Sequence, residues 1–169
     1  MSPVHLILGA VTLQRLAELF HGRRNEARLI AAGGVEAGRR HYPALVALHA
    51  AWLATLWLLV PGAAAIVWPF LGLFLLLQIG RLWVLWHLGR YWTTRVITLP
   101  GAPLVAGGPY RFCRHPNYLV VAGEIASLPL AFGAWQVAVI FSLINAALLA
   151  WRIRVENAAL AARRPIAAQ

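Results

Sequence analysis

The sequence predicts an all-α integral membrane bundle of five transmembrane helices. Three observations carry that prediction. Hydrophobic residues make up 61% of the chain and charged residues only 12%, against about 45–50% and about 25% in a soluble domain. The apolar residues gather into five runs, at 4–20, 43–60, 63–88, 118–132 and 134–151. Arginines crowd the long links between runs and are absent from the short ones. Backbone N–H and C=O groups find no water in a lipid core, so each run is expected to be helical. A chain of 169 residues has room for about four to six spans at roughly 20 residues each. One domain, residues 1–169, is the natural count.

The first run is interrupted by Gln14, Arg15 and Glu18. Arg15 and Glu18 are three apart and can pair on one helix face. The second run contains His49, and the third carries Gln78, Arg81 and His87 toward its end. Pro61-Gly62 between them reads as a tight turn, which makes these two helices an antiparallel hairpin. The fourth run is short, opens behind Pro116 and holds Pro129 near its end. Proline suits a first helical turn and kinks a helix interior. Gly133 then turns the chain into the fifth run.

The link 21–42 carries Arg23, Arg24, Arg28, Arg39 and Arg40. The link 89–117 carries Arg90, Arg95, Arg111 and Arg114, and the tail 152–169 carries Arg152, Arg154, Arg163 and Arg164. With five helices, all three segments fall on one side. The excess of positive charge makes that side cytoplasmic, with the N-terminus outside and the C-terminus cytoplasmic. Within the second link, residues 92–99 are rich in β-branched and aromatic types and precede the turn Pro100-Gly101-Ala102-Pro103. This stretch is expected to be extended or a short re-entrant piece.

All fifteen basic residues are arginine and all five acidic ones glutamate, for a net charge of +10. A nucleic-acid partner is not the reading that fits. The arginines alternate with apolar runs, where they meet anionic headgroups and fix topology. The bilayer is therefore the expected partner. Cys113 is the only cysteine, which excludes an intramolecular disulfide and a cysteine zinc site. His5, His21, His41 and His87 show no ligand spacing, so no metal is expected. Met1-Ser2-Pro3 lacks the basic start of a cleavable signal peptide. The lysine-free, Ala-, Gly- and Pro-rich composition points to a bacterial chain, hence to the inner membrane.

Two polar clusters interrupt this apolar design. The first is Gly108-Pro109-Tyr110 with Arg114-His115-Pro116-Asn117-Tyr118. Arg114 and His115 stand just ahead of a helix N-terminus, whose free N–H groups attract a carboxylate. His and Tyr can bind or stack on a nucleoside. The same arrangement also serves as an interfacial anchor. The second cluster is Arg152-Ile153-Arg154-Val155-Glu156-Asn157. Arg152 and Glu156 are four apart, so they share a face, either as an ion pair closing a helix or as a site. The Gly133 turn makes the last two helices a hairpin. The start of one and the end of the other then lie side by side, and the two clusters meet in space.

These motifs resemble the isoprenylcysteine carboxyl methyltransferase family, whose signature is Gly-Pro-Tyr, Arg-His-Pro-x-Tyr and a closing Arg-Ile-x-x-Glu-Glu. Leu82-Trp83 and Leu88-Gly89 with Trp92-Thr93 also look like it, and the resemblance covers roughly residues 78–160. It implies a membrane methyltransferase that uses S-adenosylmethionine, with a cofactor-binding part at about residues 89–160. Tyr110, Arg114, His115, Pro116, Tyr118 and Glu156 would bind the cofactor, and Arg152 would help place the acceptor. The acceptor would be a carboxylate or hydroxyl on a lipophilic molecule entering from the bilayer, toward an active site that faces the cytoplasm. One departure is Asn157, where the family carries its second Glu. Arg24–Arg28, Gly33-Gly34-Val35-Glu36 and His41-Tyr42-Pro43 look like a bacterial branch that resembles O-methyltransferases of long-chain phenols.

Glu124 lies about two turns into the fourth helix. A carboxylate at that depth is expected to face the bundle interior, with His49 as its polar company. It reads either as a catalytic group that orients or deprotonates the acceptor or as a buried hydrogen-bonded residue. Two other functions fit parts of the pattern. A membrane reductase on a related fold would need more cytoplasmic surface for its dinucleotide. A non-enzymatic membrane scaffold would leave the two converging motifs without a purpose.

Overall fold

In the computed structural model, residues 2–40, 42–102 and 105–161 are described. Met1, His41, Pro103, Arg163 and Arg164, named above, lie outside them. Five helices dominate: α1 (Pro3–Ala31), α2 (Tyr42–Leu59), α3 (Trp68–Leu88), α4 (Pro116–Ala131) and α5 (Trp135–Ala161). Two short strands, β1 (Val35–Ala37) and β2 (Val96–Thr98), pair antiparallel with Glu36 opposite Ile97. Short 3₁₀ helices stand at Gly89–Tyr91 and Gly108–Arg111.

Three of these helices, α2, α3 and α5, are long and apolar enough to cross a membrane. Only 22% of each apolar window is buried inside the protein. Side chains such as Leu58, Trp86 and Leu143 therefore point outward, a surface that suits lipid and not water. By contrast α4 has 16 residues, about 24 Å of helix, short of a hydrocarbon core of about 30 Å. The 29 residues of α1 amount to about 44 Å, well beyond the apolar run that starts it.

The helices pack in the order α1, α2, α5, α4, α3, each on the next. The expected hairpin of α2 with α3 does not form. Residues 60–67 are a longer connection than a Pro-Gly turn, and the Val67 N–H donates to the Ala131 carbonyl at 2.9 Å. That bond ties the start of α3 to the end of α4. Pro69 in the first turn then sets where α3 begins. The core joins Leu8 of α1, Trp52 and Leu56 of α2, Phe74 of α3, and Ile125 and Leu128 of α4.

The ring closes between α3 and α1 through charge. Arg81 grips Glu124 with two guanidinium nitrogens, Nε at 2.8 Å from Oε1 and Nη2 on Oε2, and reaches Glu18 at 2.9 Å. Arg15 bonds Glu18 and Glu124, each at 2.8 Å. Gln14 joins Gln78 at 2.7 Å, and Gln78 joins Glu124 at 2.9 Å. Two arginines thus balance two glutamates. The Arg81 and Glu124 side chains are only 4% and 2% exposed, as charges inside a membrane bundle must be. Arg15 and Glu18 do pair, as their spacing predicts. Glu124 has different company from that expected: His49 instead meets its own helix, its Nδ1 lying 2.7 Å from the Leu45 carbonyl.

Candidate active site

At the end of the bundle where α5 finishes, α4 begins and the link segments 89–102 and 105–115 fold over, there is a cavity of about 610 Å³. That is within the roughly 300–1,000 Å³ of small-molecule sites. One wall is built by the first turn of α4 and the last turns of α5, with His115, Tyr118, Arg152, Glu156 and Asn157. The facing wall is the link around β2, with Trp92, Arg95 and Ile97, and Tyr110 stands above. Leu29, Leu88, Leu99 and Leu160 make an apolar margin.

Local sequence explains how these side chains arrive. Gly108 lets the chain press against α3. A Cβ on Gly108 would meet the His87 ring at 2.2 Å, and its φ of 57° is already a glycine conformation. The tight 3₁₀ helix behind it puts Tyr110 over the cavity. Burial, and then the nearby Glu156 carboxylate, hold the Tyr110 hydroxyl well above its ordinary value. It stays a neutral donor. Pro116 is buried at the first position of α4 and shapes the helix start without lining the cavity. No side chain caps that end of α4. Pro116 has no N–H and the Tyr118 N–H donates to the His115 carbonyl at 3.1 Å, which leaves the Asn117 N–H as the first-turn donor for an anion.

The two motifs come together across α4 and α5. The Tyr118 hydroxyl donates to Glu156 Oε2 and accepts from Arg152 Nε at 2.8 Å. Among the described residues Arg152 and Glu156 form no direct ion pair; Tyr118 stands between them. Arg152 Nη1 also donates to the Thr94 carbonyl at 2.8 Å. The His115 ring stacks on Tyr118 with centroids 5.3 Å apart. Its Nε2 is 3.1 Å from Asn157 Oδ1 and its Nδ1 is 4.0 Å from Glu156. Asn157 thus provides a neutral partner for His115 where the family signature has a carboxylate.

Tyr110, Arg114, His115, Tyr118, Arg152 and Glu156, all singled out in the sequence, line this one cavity. Glu124 does not line it; its oxygens are occupied by Arg81, Arg15 and Gln78. Two contributors named in the sequence were given no role at the site there. Asn117 lines the cavity, and its Oδ1 is buried without a partner among the described residues. Arg95 is held in the facing wall over the Tyr42 ring, 4.9 Å from its centroid, and 3.4 Å from Glu36. The β-branched run around Arg95 was the available signal. Its partner strand β1 has no alternation in three residues to announce it.

A bundle with membrane-length helices that closes on a polar, aromatic-lined cavity has the plan of an integral membrane enzyme. The profile of the isoprenylcysteine carboxyl methyltransferase family matches residues 70–162, and the chain belongs to that family of membrane methyltransferases. It is similar over 92% of its length, at 38% identity, to the Bacillus subtilis protein described as "Uncharacterized protein YpbQ", of which 95% is covered. A Haemophilus influenzae "Uncharacterized protein" is 26% identical over 93% of this chain and 94% of its own. No solved structure matches the chain.

Proposed function

We propose that this protein transfers a methyl group from S-adenosylmethionine to an oxygen, carboxylate or hydroxyl, of a lipophilic acceptor. The observation that carries the reading is the meeting of Tyr118, Glu156, Arg152 and His115 at one cavity. The residues present suit that cofactor. Glu156 offers a carboxylate to an ammonium. Arg114, beside the open start of α4, offers a guanidinium to a carboxylate. The His115 and Tyr118 rings offer a stacking surface to a nucleoside. The buried Asn117 Oδ1 is an acceptor still in need of a donor. S-adenosylmethionine, when bound, supplies a methyl group already activated by the sulfonium. The protein's own part is to align, to shield from water and to balance charge.

Arg152 has the geometry to steady an acceptor oxygen, since the Thr94 carbonyl and Tyr118 hydroxyl fix its guanidinium. The leucine margin suits an acceptor tail that comes from lipid. Glu124 is assigned to holding α1, α3 and α4 together, because its oxygens are already taken.

Detergent-solubilised protein is expected to bind S-adenosylmethionine in calorimetry, and His115→Ala is expected to weaken it. Losing a stacking ring costs about 0.5–1.5 kcal/mol and losing one hydrogen bond to a charged group about 1.5–3 kcal/mol, the latter roughly ten- to a hundred-fold in affinity. A folded His115→Ala protein with wild-type affinity would remove His115 from the cofactor site.

The proposed topology has five helices inserted in a bacterial inner membrane, N-terminus outside, with the cavity facing the cytoplasm. Its support is the arginine count at the cavity end of the bundle. An Arg24→Cys variant in a Cys113→Ser background is expected to resist an impermeant thiol reagent in intact cells and to react after lysis. Labelling in intact cells would reverse the orientation.

A further inference from the structure

We propose that the polar overhang of α1 is a positioning element for the cavity, with Glu26 aiming Arg152 through a single peptide group. Glu26 is 8% exposed. Its Oε1 accepts from the Thr94 N–H at 3.1 Å, the Thr94 hydroxyl at 2.7 Å and the Arg95 N–H at 3.0 Å. The Arg95 N–H and the Thr94 carbonyl belong to one peptide plane. In a trans peptide the two point in opposite directions. Once Glu26 holds the N–H, the carbonyl must face away from α1. There it accepts Arg152 Nη1 at 2.8 Å. The carboxylate and the guanidinium thus polarise the same peptide from its two ends, which strengthens both bonds.

Two neighbours on α1 complete the grip. Asn25 is 1% exposed and donates to the Gly89 and Trp92 carbonyls at 3.1 and 2.9 Å. Gly22 lets Thr94 come close: a Cβ there would stand 2.8 Å from Thr94 Cγ2 and 3.2 Å from the Trp92 ring. Gly22, Asn25 and Glu26 form a stripe at helical spacing, and all lie outside the residues 70–162 matched by the family profile. The N-terminal third of the chain therefore supplies support that the family motifs do not encode. Among the described residues, Arg152 would otherwise be anchored only by Tyr118.

This role rests on the methyl-transfer reading of the cavity, so the test has one arm that needs no ligand. In the first arm, full-length protein in detergent is treated with phenylglyoxal and the modification of Arg152 is followed by peptide mass spectrometry. Glu26→Ala is expected to raise the Arg152 rate toward that of the exposed Arg114. Glu26→Gln keeps the Oε1 acceptor and is expected to restore protection. Gly22→Ala, which displaces Thr94 while leaving Glu26 in place, is expected to expose Arg152 as well. In the second arm, S-adenosylhomocysteine affinity is measured for Glu26→Ala, Arg152→Ala and the double variant. Arg152 braces the Tyr118 hydroxyl that holds Glu156, so Glu26→Ala is expected to weaken binding about ten-fold by that route, the loss of one charge-assisted bond. If Glu26 acts through Arg152, the double variant binds like Arg152→Ala alone; independent effects would add. Unchanged Arg152 reactivity in both Glu26→Ala and Gly22→Ala overturns the proposal, as does full additivity in the second arm. Absence of S-adenosylhomocysteine binding by the wild type overturns the functional reading, while the first arm still decides the positioning role.

Discussion

Glu124→Ala is expected to lower the stability of the bundle by about 3–5 kcal/mol, the usual result of removing one partner from a buried ion pair. The carboxylate receives Arg81, Arg15 and Gln78. Removing it leaves two guanidinium groups facing only Glu18. Arg15 Nε is already buried without a partner among the described residues, which show no spare acceptor to compensate. Glu124→Gln keeps an acceptor oxygen but loses the charge, and is expected to fall between wild type and Glu124→Ala. A paired change, Arg81→Met with Glu124→Met, is expected to be less damaging than Glu124→Ala, because it removes both charges instead of stranding one. Thermal unfolding in detergent, followed by helix content, measures all three. S-adenosylmethionine affinity well below the transition is expected to change little. A Glu124→Ala protein that melts like wild type yet has lost methyl transfer would return this residue to the chemistry.

The largest effect on ligand binding is expected from Glu156→Ala, at roughly ten- to a hundred-fold loss of S-adenosylmethionine affinity. Among the described residues, Glu156 is the only carboxylate lining a cavity that also holds Arg95, Arg114 and Arg152. Without it, nothing there attracts an ammonium or offsets a sulfonium, and three guanidinium groups repel both. Tyr118→Phe separates the two halves of the effect. It leaves the charges in place but deletes the hydroxyl that joins Arg152 to Glu156. Its loss is expected to be smaller, because the hydroxyl acts on the ligand only by holding Glu156 and Arg152 in place. Calorimetry on folded variants gives the order wild type, Tyr118→Phe, Glu156→Ala. Equal affinity for wild type and Glu156→Ala would place the cofactor elsewhere.

How much of this could be read in the chain beforehand differs between local and long-range features. Apolar runs longer than a few turns leave the backbone no choice but helix, so α2, α3 and α5 were visible, as was the α4–α5 hairpin from Gly133. That hairpin alone implied that His115 and Tyr118 would meet Arg152 and Glu156. Helix ends were less visible. α1 runs on to Ala31 and α5 to Ala161, far past their apolar runs, because polar residues are helical wherever their side chains find partners. Asn25 and Glu26 do so on the link at 89–95, a pairing that no local pattern announces.

The sequence by itself determined the class of the molecule and which motif residues meet at one cavity. Hydrophobic content sets the solvent the helices face, and motif order along a hairpin sets which side chains converge. Only the tertiary structure decided the partners. It sent α3 to α4 instead of α2, through the Val67–Ala131 hydrogen bond. It gave Glu124 to Arg81 and Arg15 instead of His49. It brought Glu26 to the back of the peptide that holds Arg152. The physical reason is common to all three. A buried charge or an open backbone group must find an opposite within about 3 Å, and which opposite lies there depends on how whole helices cross.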